Sequence, residues 1–533
     1  MAEQPKPPPI SAPAQSNPGP PGAGGIYRGT DPSRDLKPFT PKPLNIVRRP
    51  GTVPVDRGRS IVLTQHAINL LESATRVRHI HLANPGREIG LEEIVNVVND
   101  PGWVRWDGDG IVLLQAALLQ DVGTKLRVSQ PAIREVRLAS LPGVFLGGTA
   151  ASALIEGVLI TSWLPDRARP DTNDRDGRPF ILYEDEGAQL DIINSEIAYL
   201  GEDRVTAYGL AWRQGATGTL LGSEVHHNLF GVYTHEAKDM AFRGNRLHHN
   251  IYYGFDPHDY SSGLIIEDNE AWSNGSHGII FSRGVVNSVV RRNYSHDNGG
   301  NGIMMDAGSN RNEITVNRVE NNLKDGIVAH GSSDLLIADN LIRGNRQGIR
   351  SKGESLRNQY LRNRLVDNNR GIELYGGVRN AVIRDNVVRG SREIGLILDA
   401  PGSRVLGGTV DGGELGVDAR APASLSGLVV GGVDRGLLVR RGTLDGYGVT
   451  VEARKAAVTT EGRALVRLVR SNVRSDKPAL DADPKRWGPG TEEQGPPLPW
   501  TTAVGIGLIA AAVALEAFHR FRLRRTPGST DQP

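Results

Sequence analysis

The sequence predicts an all-β solenoid, a parallel β-helix, and two observations carry that prediction. Two asparagine registers and one glycine register recur in phase, and a fixed period in the low twenties is typical of a solenoid. Between them lie short β-branched runs separated by Asn, Gly and Asp turns, with no room for a helix in any unit. The first asparagine register steps by 24 residues and then by 23: Asn245, Asn269, Asn293, Asn317, Asn340, Asn363 and Asn386.

The repeated asparagines and glycines have structural explanations. Successive coils of a β-helix lie about 4.8 Å apart, so asparagines at one position of every coil can bond to one another as a ladder. Glycine marks positions where φ is unusual or the backbone is crowded. The second asparagine register is Asn250, Asn274, Asn298, Asn322, Asn345 and Asn368, and the glycine register is Gly231, Gly254, Gly278, Gly302, Gly326, Gly348, Gly371 and Gly395.

Composition agrees with a solenoid and excludes several other classes. Only 5% of the 533 residues are aromatic while 65 are glycine, which suits a narrow interior filled by Val, Ile and Leu. The formal net charge of +2 gives no overall field that would point to nucleic acid. There is no cysteine, so disulfides and thiol chemistry are excluded.

The segments before the regular array are predicted in order. Residues 1–58 are rich in Pro, Gly and Ser, which predicts a disordered or extended tail, and they lack the apolar stretch of a signal peptide. Residues 59–149 are predicted to hold irregular first coils and one short helix at 90–100 that caps the open end of the solenoid. The β-helix itself is predicted over 150–474, with a charged loop at 166–178 and shorter, irregular coils beyond 402.

The C-terminal segments predict attachment to a membrane. Residues 475–499 read as a linker, and residues 500–519 are long and apolar enough to cross a bilayer. The arginines of the basic tail, 520–533, follow this stretch, so the positive-inside rule places the tail in the cytoplasm and the β-helix on the extracytoplasmic side. An apolar helix packed on the solenoid is the alternative.

Side-chain alternation along each strand sorts the coil positions by face. Counted from the repeat glycine, position plus one is apolar and is predicted to point inward, whereas positions plus two and plus four are predicted to point outward. The plus-one residues are Val232, Phe255, Ile279, Ile303, Ile327, Ile349, Ile372 and Leu396. The plus-two residues are Tyr233, Asp256, Ile280, Met304, Val328, Arg350, Glu373 and Ile397, and the plus-four residues are His235, His258, Ser282, Asp306, His330, Lys352, Tyr375 and Asp399.

The densest group of reactive side chains lies in the segment YGFDPHD, residues 253–259, where a proline interrupts the strand pattern. Proton abstraction from carbon next to a carboxylate needs a base, an acid on the opposite face and a neutralising cation. His258 suits the base, Tyr253 the acid and Arg283 the cation, while Asp256 or Asp259 would orient the histidine.

The neighbouring polar side chains are predicted to bind the substrate, and His258 is predicted to face solvent. No cofactor and no metal is expected: His235, His258, Asp306 and His330 share a column, but neighbours one coil apart are too distant for all four to hold one ion. The predicted substrate-binding residues are His235, Tyr233, His277, Ser282, Asp306, His330, Arg350 and Lys352.

The segment YGFDPHD followed by HGIIFSR resembles the mannuronan C5-epimerases of alginate pathways, over roughly residues 191–399. It is most similar to the periplasmic, biosynthetic type, and this resemblance implies a right-handed parallel β-helix. It further implies His258 as base, Arg283 as partner of the carboxylate or of water, and assistance from Asp256. Calcium-binding nonapeptide repeats are absent, so no calcium requirement is implied. Tyr260 departs from the family, in which a basic residue is usual, and so does the C-terminal anchor.

These observations predict a polyuronate C5-epimerase that acts on an acidic polysaccharide, attached to a membrane beside exopolysaccharide synthesis or export machinery. Two alternatives remain open at this point. A lyase uses the same base and neutralising cation but expels the glycosidic oxygen. A non-catalytic protein could bind or assemble polysaccharide on the same face.

Overall fold

The computed structural model describes residues 59–73, 76–82, 86–175, 177–202, 207–476 and 492–494. Its strands wind into a parallel β-helix in which each strand pairs with the equivalent strands of the coils before and after it. One face of the helix is a sheet of 16 parallel strands, one from each coil, and the other faces join in a 33-stranded sheet. The predicted β-helix is therefore confirmed.

The N-terminal coils begin with antiparallel strands that the sequence did not predict. The pairs β1–β2, β2–β3 and β5–β6 are antiparallel, and the parallel coils follow. The elements are β1 (Ser60–Leu63), β2 (Ala67–Ser73), β3 (Arg76–His81), β4 (Glu88–Gly90), α1 (Leu91–Val98), β5 (Val104–Gly108), β6 (Ile111–Leu114), β7 (Ala117–Gln120), β8 (Lys125–Ser129) and β9 (Glu135–Ala139).

The helix predicted at 90–100 is confirmed as α1. Its apolar residues Leu91, Ile94, Val95 and Val98 are buried in the same core as the first coils. The chain leaves the helix at Asn99, whose left-handed conformation ends the helical hydrogen bonding.

The central coils contain three short strands each. They are β10 (Leu146–Thr149), β11 (Ser152–Glu156), β12 (Leu159–Trp163), β13 (Ile181–Glu184), β14 (Gln189–Ile193), β15 (Glu196–Ala198), β16 (Gly209–Arg213), β17 (Thr217–Leu221), β18 (Glu224–His226), β19 (Phe230–His235), β20 (Ala241–Arg243), β21 (Arg246–His248), β22 (Phe255–His258), β23 (Ile265–Glu267), β24 (Glu270–Trp272), β25 (Ile279–Phe281), β26 (Val289–Arg291), β27 (Tyr294–His296), β28 (Ile303–Asp306), β29 (Glu313–Thr315), β30 (Arg318–Glu320), β31 (Ile327–His330), β32 (Leu336–Ala338), β33 (Leu341–Arg343), β34 (Gln347–Lys352), β35 (Gln359–Leu361), β36 (Arg364–Val366), β37 (Arg370–Leu374), β38 (Val382–Arg384), β39 (Val387–Arg389) and β40 (Ile394–Leu398). A short 3-10 turn, Pro165–Arg167, lies in the charged loop.

The last coils are shorter, as predicted, but regular. Three strands of 11 residues, β42, β44 and β46, pair in parallel along most of their length. The strands are β41 (Ser403–Leu406), β42 (Thr409–Ala419), β43 (Ala423–Ser426), β44 (Val429–Val439), β45 (Thr443–Tyr447), β46 (Thr450–Thr460), β47 (Leu465–Val469), β48 (Asn472–Ser475) and β49 (Glu492–Gln494).

The asparagine ladder forms as predicted. Asn293 donates both its backbone N–H and its Nδ2 to Oδ1 of Asn317, each at 3.0 Å, and Oδ1 of Asn293 accepts the same pair from Asn269. The side chains are buried, where an unpaired amide would be costly, so each rung satisfies the next.

Crowding, rather than unusual φ, explains the repeat glycines. A Cβ on Gly254 would lie 2.6 Å from the carbonyl oxygen of Gly278, and one on Gly302 would lie 2.9 Å from that of Gly326. The coils therefore approach too closely at this column for any side chain.

One face of the helix carries the predicted site, and we name it the histidine face: β19, β22, β25, β28, β31 and β34. The plus-one residues of these strands pair in register from coil to coil and are buried, as predicted. The plus-two residues Asp256, Ile280 and Val328 are also buried, so the neighbouring outer side chains cover them.

No helix within the described ranges is long and apolar enough to cross a membrane. The predicted tail 1–58, most of the predicted linker 475–499, the predicted membrane helix 500–519 and the basic tail 520–533 lie outside the described residues.

Candidate active site

The segment YGFDPHD interrupts the histidine face, as its proline predicted. Strand β22 pairs with the next coil at Phe255 and again at His258, but the ladder is broken between them. The chain then turns through Asp259 and Tyr260, which both have positive φ. This left-handed turn folds the Asp259 carboxylate back beside the end of the strand.

One carboxylate joins three of the predicted site residues. Asp259 Oδ2 lies 3.0 Å from Nδ1 of His258 and 3.1 Å from Nδ1 of His235, which occupies the same position one coil earlier. The other oxygen of Asp259, Oδ1, lies 3.1 Å from Nη1 of Arg283. Asp259 therefore orients both imidazoles and holds the guanidinium beside them.

The state of His258 suits a general base. Burial lowers the pKa of His258, and the Asp259 carboxylate opposes that shift without reversing it. Because a carboxylate can only accept a hydrogen bond, the imidazole keeps its proton on Nδ1 and leaves the Nε2 lone pair free. The side chain is 25% exposed, so the prediction that it faces solvent is correct only in part.

Asp256 does not orient the histidine, although it was one of two carboxylates predicted to do so. It is buried, and its Oδ1 accepts a hydrogen bond of 2.9 Å from the Ser282 hydroxyl. Burial raises its pKa well above the ordinary value. The structure thus separates the two aspartates: Asp259 contacts His258, and Asp256 pairs with Ser282.

Tyr253 lies at the other end of β22, against His277. Their rings stack with centroids 5.5 Å apart and nearly parallel planes. Nδ1 of His277 accepts the backbone N–H of Asn301 at 2.9 Å, and burial lowers the pKa of His277 to about 3. His277 is therefore a neutral imidazole with its proton on Nε2. Burial also raises the pKa of the Tyr253 phenol, so it stays protonated.

A second phenol lies on the histidine side of the site. The Tyr233 ring centroid is 5.7 Å from that of His258, and its hydroxyl is 3.5 Å from Nδ1 of His235. Burial raises the pKa of Tyr233 as well. Tyr233 and Tyr253 thus occupy different positions around β22.

The remaining predicted residues continue along the face. His330 Nδ1 lies 2.6 Å from Oδ1 of Asp306. Arg350 is already engaged, since its guanidinium lies 3.0 Å from Asp325 and 3.4 Å from Glu373. Its predicted role in binding an anion would therefore compete with two carboxylates. Lys352 follows His330 on the next coil.

The sequence reasoning missed a second polar column on this face. The residue just before each repeat glycine forms the rim opposite the histidines, and Asn301 in this column bonds both to His277 and to the backbone N–H of Asp325, at 3.0 Å. Counting one position back from the glycine would have found it. The column is Tyr253, His277, Asn301, Asp325, Gln347 and Arg370.

No group of three or more His, Asp or Glu that could hold a metal ion occurs within the described part of the chain. The site consists of two imidazoles, an aspartate and an arginine at one rim, a tyrosine and a neutral histidine at the other, and a buried carboxyl between them. Such a site can abstract a proton and bind an anionic group.

The fold is a parallel β-helix, and its histidine face carries imidazole, carboxylate, phenol and guanidinium groups side by side. The family described as "right handed beta helix region" matches residues 180–327 and 307–409. A crystal structure of the periplasmic alginate epimerase AlgG shares this fold, with a TM-score of 0.52 and 21% identity over 72% of this chain and 83% of that one.

The predicted resemblance to the mannuronan C5-epimerases is confirmed by curated relatives of that name. The chain is 31% identical over 229 residues to one from Pseudomonas syringae pv. tomato, and the matched segment covers 40% of this chain and 41% of the relative. It is 32% identical over 259 residues to one from Azotobacter vinelandii, covering 46% of this chain and 49% of the relative. The chain thus matches less than half the length of these two relatives.

Proposed function

We propose that the protein is a polyuronate C5-epimerase, and one observation carries this proposal: Asp259 holds His258 and Arg283 together at one rim while Tyr253 occupies the other. Epimerisation at C5 removes a proton from one face of the sugar and returns one to the opposite face. It therefore needs a base and an acid on opposite sides of a ring whose carboxylate is neutralised.

His258 is the proposed base. Its neutral imidazole presents Nε2, and the Asp259 carboxylate stabilises the imidazolium that forms when the C5 proton arrives. His235 lies against the same carboxylate oxygen, so both imidazoles share one negative charge.

Tyr253 is the proposed acid. It lies five residues before His258, so their Cα atoms are at most about 17 Å apart in an extended strand, and the two side chains can reach a sugar between them from either side. Tyr233 packs beside His258 and would approach the sugar from the same side as the base. This placement favours Tyr253 over Tyr233 as the proton donor.

Arg283 and Asp256 are the proposed partners of the sugar carboxylate. The Arg283 side chain is 64% exposed and keeps further N–H donors free beyond the one that faces Asp259. Asp256, with its raised pKa, can remain protonated and donate a hydrogen bond from the floor of the site. Both would strengthen their contacts as negative charge builds on the carboxylate.

A lyase remains the second candidate, because it uses the same base and cation. The named relatives favour the epimerase, and all of them carry the activity in their names. A non-catalytic polysaccharide-binding protein would not require a carboxylate that orients a neutral imidazole, so the Asp259–His258 pair favours an enzyme.

The products distinguish the three candidates. Mannuronan incubated with the protein in heavy water should gain deuterium at C5 and a changed epimer ratio, both measured by NMR. A new unsaturated chain end would indicate a lyase, and binding without exchange would indicate a binding protein. The variant His258→Ala should lose the exchange, whereas His66→Ala, which removes an exposed histidine of the first coils, should keep it.

The location and the attachment are also proposed. Two observations support an extracytoplasmic location of the β-helix. The first is the apolar stretch 500–519 with the arginines that follow it, and the second is the structural neighbour named as periplasmic. Protease added to intact cells and to cells with a permeabilised outer membrane tests this location. The β-helix should be cleaved while the inner membrane is still intact. Protection in both preparations would contradict the proposed location. The association with export machinery stays a prediction.

A further inference from the structure

A second charged centre lies on the histidine face, beyond the site described above. It comprises Asp306, His330 and Lys352, and we name it the distal centre. These residues occupy equivalent positions on three consecutive coils, since Asp306 pairs with His330 and His330 with Lys352. His258 lies in the same column, three coils before His330, a distance of about 14 Å along the helix axis.

The histidine of the distal centre is held in a fixed orientation. Nδ1 of His330 faces the Asp306 carboxylate at 2.6 Å, so Nδ1 carries the proton and Nε2 is left for another partner. The Cδ2–Nε2 edge of the ring lies over Gly353, where an added Cβ would be 3.2 Å from Nε2. The side chain is 44% exposed, so an external group can reach it.

The lysine of the distal centre differs in its ionic contacts from the arginine two residues before it. Burial and the nearby Arg350 guanidinium lower the pKa of Lys352, and the more distant Asp325 and Asp306 carboxylates oppose that shift without reversing it. Among the residues that the structure describes, none forms an ion pair with its ammonium group, whereas Arg350, two residues earlier, contacts both Asp325 and Glu373. Arg350 is therefore held by direct ion pairs, whereas the ammonium group of Lys352 can form one with an external anion.

We propose that the distal centre binds the carboxylate of a second uronate residue in the same polysaccharide chain. The identity of the sugar rests on the proposed function. Lys352 supplies the positive charge for the carboxylate, Nε2 of His330 accepts a hydrogen bond from a hydroxyl of the same sugar, and Asp306 fixes the orientation of the histidine. A polysaccharide that lies along the axis of the β-helix with one sugar at His258 also passes the distal centre. Oligosaccharides too short to span the distance from His258 to the distal centre therefore cannot contact both.

A length series of mannuronan oligosaccharides tests this directly. Affinity for the wild-type protein, measured by calorimetry from the disaccharide upward, should rise at the length that first spans the two centres. In Lys352→Met the rise should disappear, leaving long chains roughly tenfold weaker, as expected for the loss of one part-exposed charge-assisted contact. Lys455→Met removes another lysine, which pairs with Asp434 on a distant coil, and should retain the rise.

The steady-state parameters give a second readout. Lys352→Met should raise KM on long polymer and leave kcat unchanged, because the contact binds substrate and transition state equally. If the rise with length persists in Lys352→Met, the inference is wrong. If the affinity of the wild-type protein rises with oligosaccharide length but no C5 hydrogen is exchanged, the proposed reaction is wrong while the proposed binding at the distal centre is supported.

Discussion

The replacement Asp259→Asn tests the arrangement at the proposed base more sharply than removal of the base itself. Asparagine has the same size and tolerates the positive φ found at this position, so the turn is preserved. The side chain loses its charge, however, and with it the pairing to His258, His235 and Arg283 at 3.0, 3.1 and 3.1 Å.

The expected magnitude follows from one of these three contacts. Only the pairing with His258 gains strength as the imidazole becomes charged in the transition state. A hydrogen bond to a charged group contributes about 1.5–3 kcal/mol, so kcat for C5 exchange should fall by roughly 10- to 150-fold. NMR measurement of deuterium incorporation at C5 over time gives the rate.

The pH profile provides a readout that general damage to the fold would not produce. The base must be neutral, so activity is lost as pH falls through the pKa of His258, which lies below the ordinary histidine value. Asp259 raises that pKa. Without the carboxylate the pKa falls further, and the acidic limb of the profile should move to lower pH.

A matched control is available on another face. Asp268 also has positive φ and pairs with an arginine, Arg292, at 2.8 Å. Asp268→Asn should therefore leave both kcat and the pH profile unchanged. If Asp259→Asn behaves like this control, the carboxylate does not act through His258 and the account of the base is refuted.

Three further predictions concern the scaffold and the acid. Asn293→Ala removes four hydrogen bonds from a buried rung and should lower the free energy of unfolding by about 3–5 kcal/mol in urea titrations. Asn96→Ala removes one solvent-exposed hydrogen bond, from Nε1 of Trp106, and should lower the free energy of unfolding far less. Asp256→Asn should match the stability of the wild type at acidic pH and become the more stable protein as pH rises. The pKa of the buried carboxyl is raised, so the wild type loses the stability of its neutral form as the pH rises, and asparagine does not ionise. An equal change of melting temperature with pH in both proteins would contradict this. Tyr253→Phe should abolish epimerisation, and Tyr233→Phe should retain it; the opposite result in NMR product analysis would exchange their roles.

The repeat made most of the fold predictable. Each asparagine rung bonds to the next, so a side chain at a fixed interval reports directly on coil stacking, and the same holds for crowded glycines such as Gly254. The antiparallel strands β1, β2 and β3 were not predictable in this way, because they precede the repeat and depend on pairing between segments with no shared period.

The side chains that share a face could be predicted from the sequence, but the pairs of side chains that contact each other could not. The sequence placed His258 and Arg283 on one face, and the structure links them through Asp259. It could not decide between Asp256 and Asp259, which are three residues apart, because the choice depends on the left-handed turn after the strand. Nor could it show that Arg350 is occupied, since its partner Asp325 belongs to the column just before the repeat glycine.

The central claim is that one uronate ring lies between His258 and Tyr253, and a crystal structure of the protein with a bound mannuronan oligosaccharide measures it directly. The account predicts a sugar whose C5 lies about 3–3.5 Å from Nε2 of His258, with the Tyr253 hydroxyl on the opposite side of the ring and the carboxylate against Arg283. A sugar bound on another face of the helix, or one with both side chains on the same side of its ring, would contradict it.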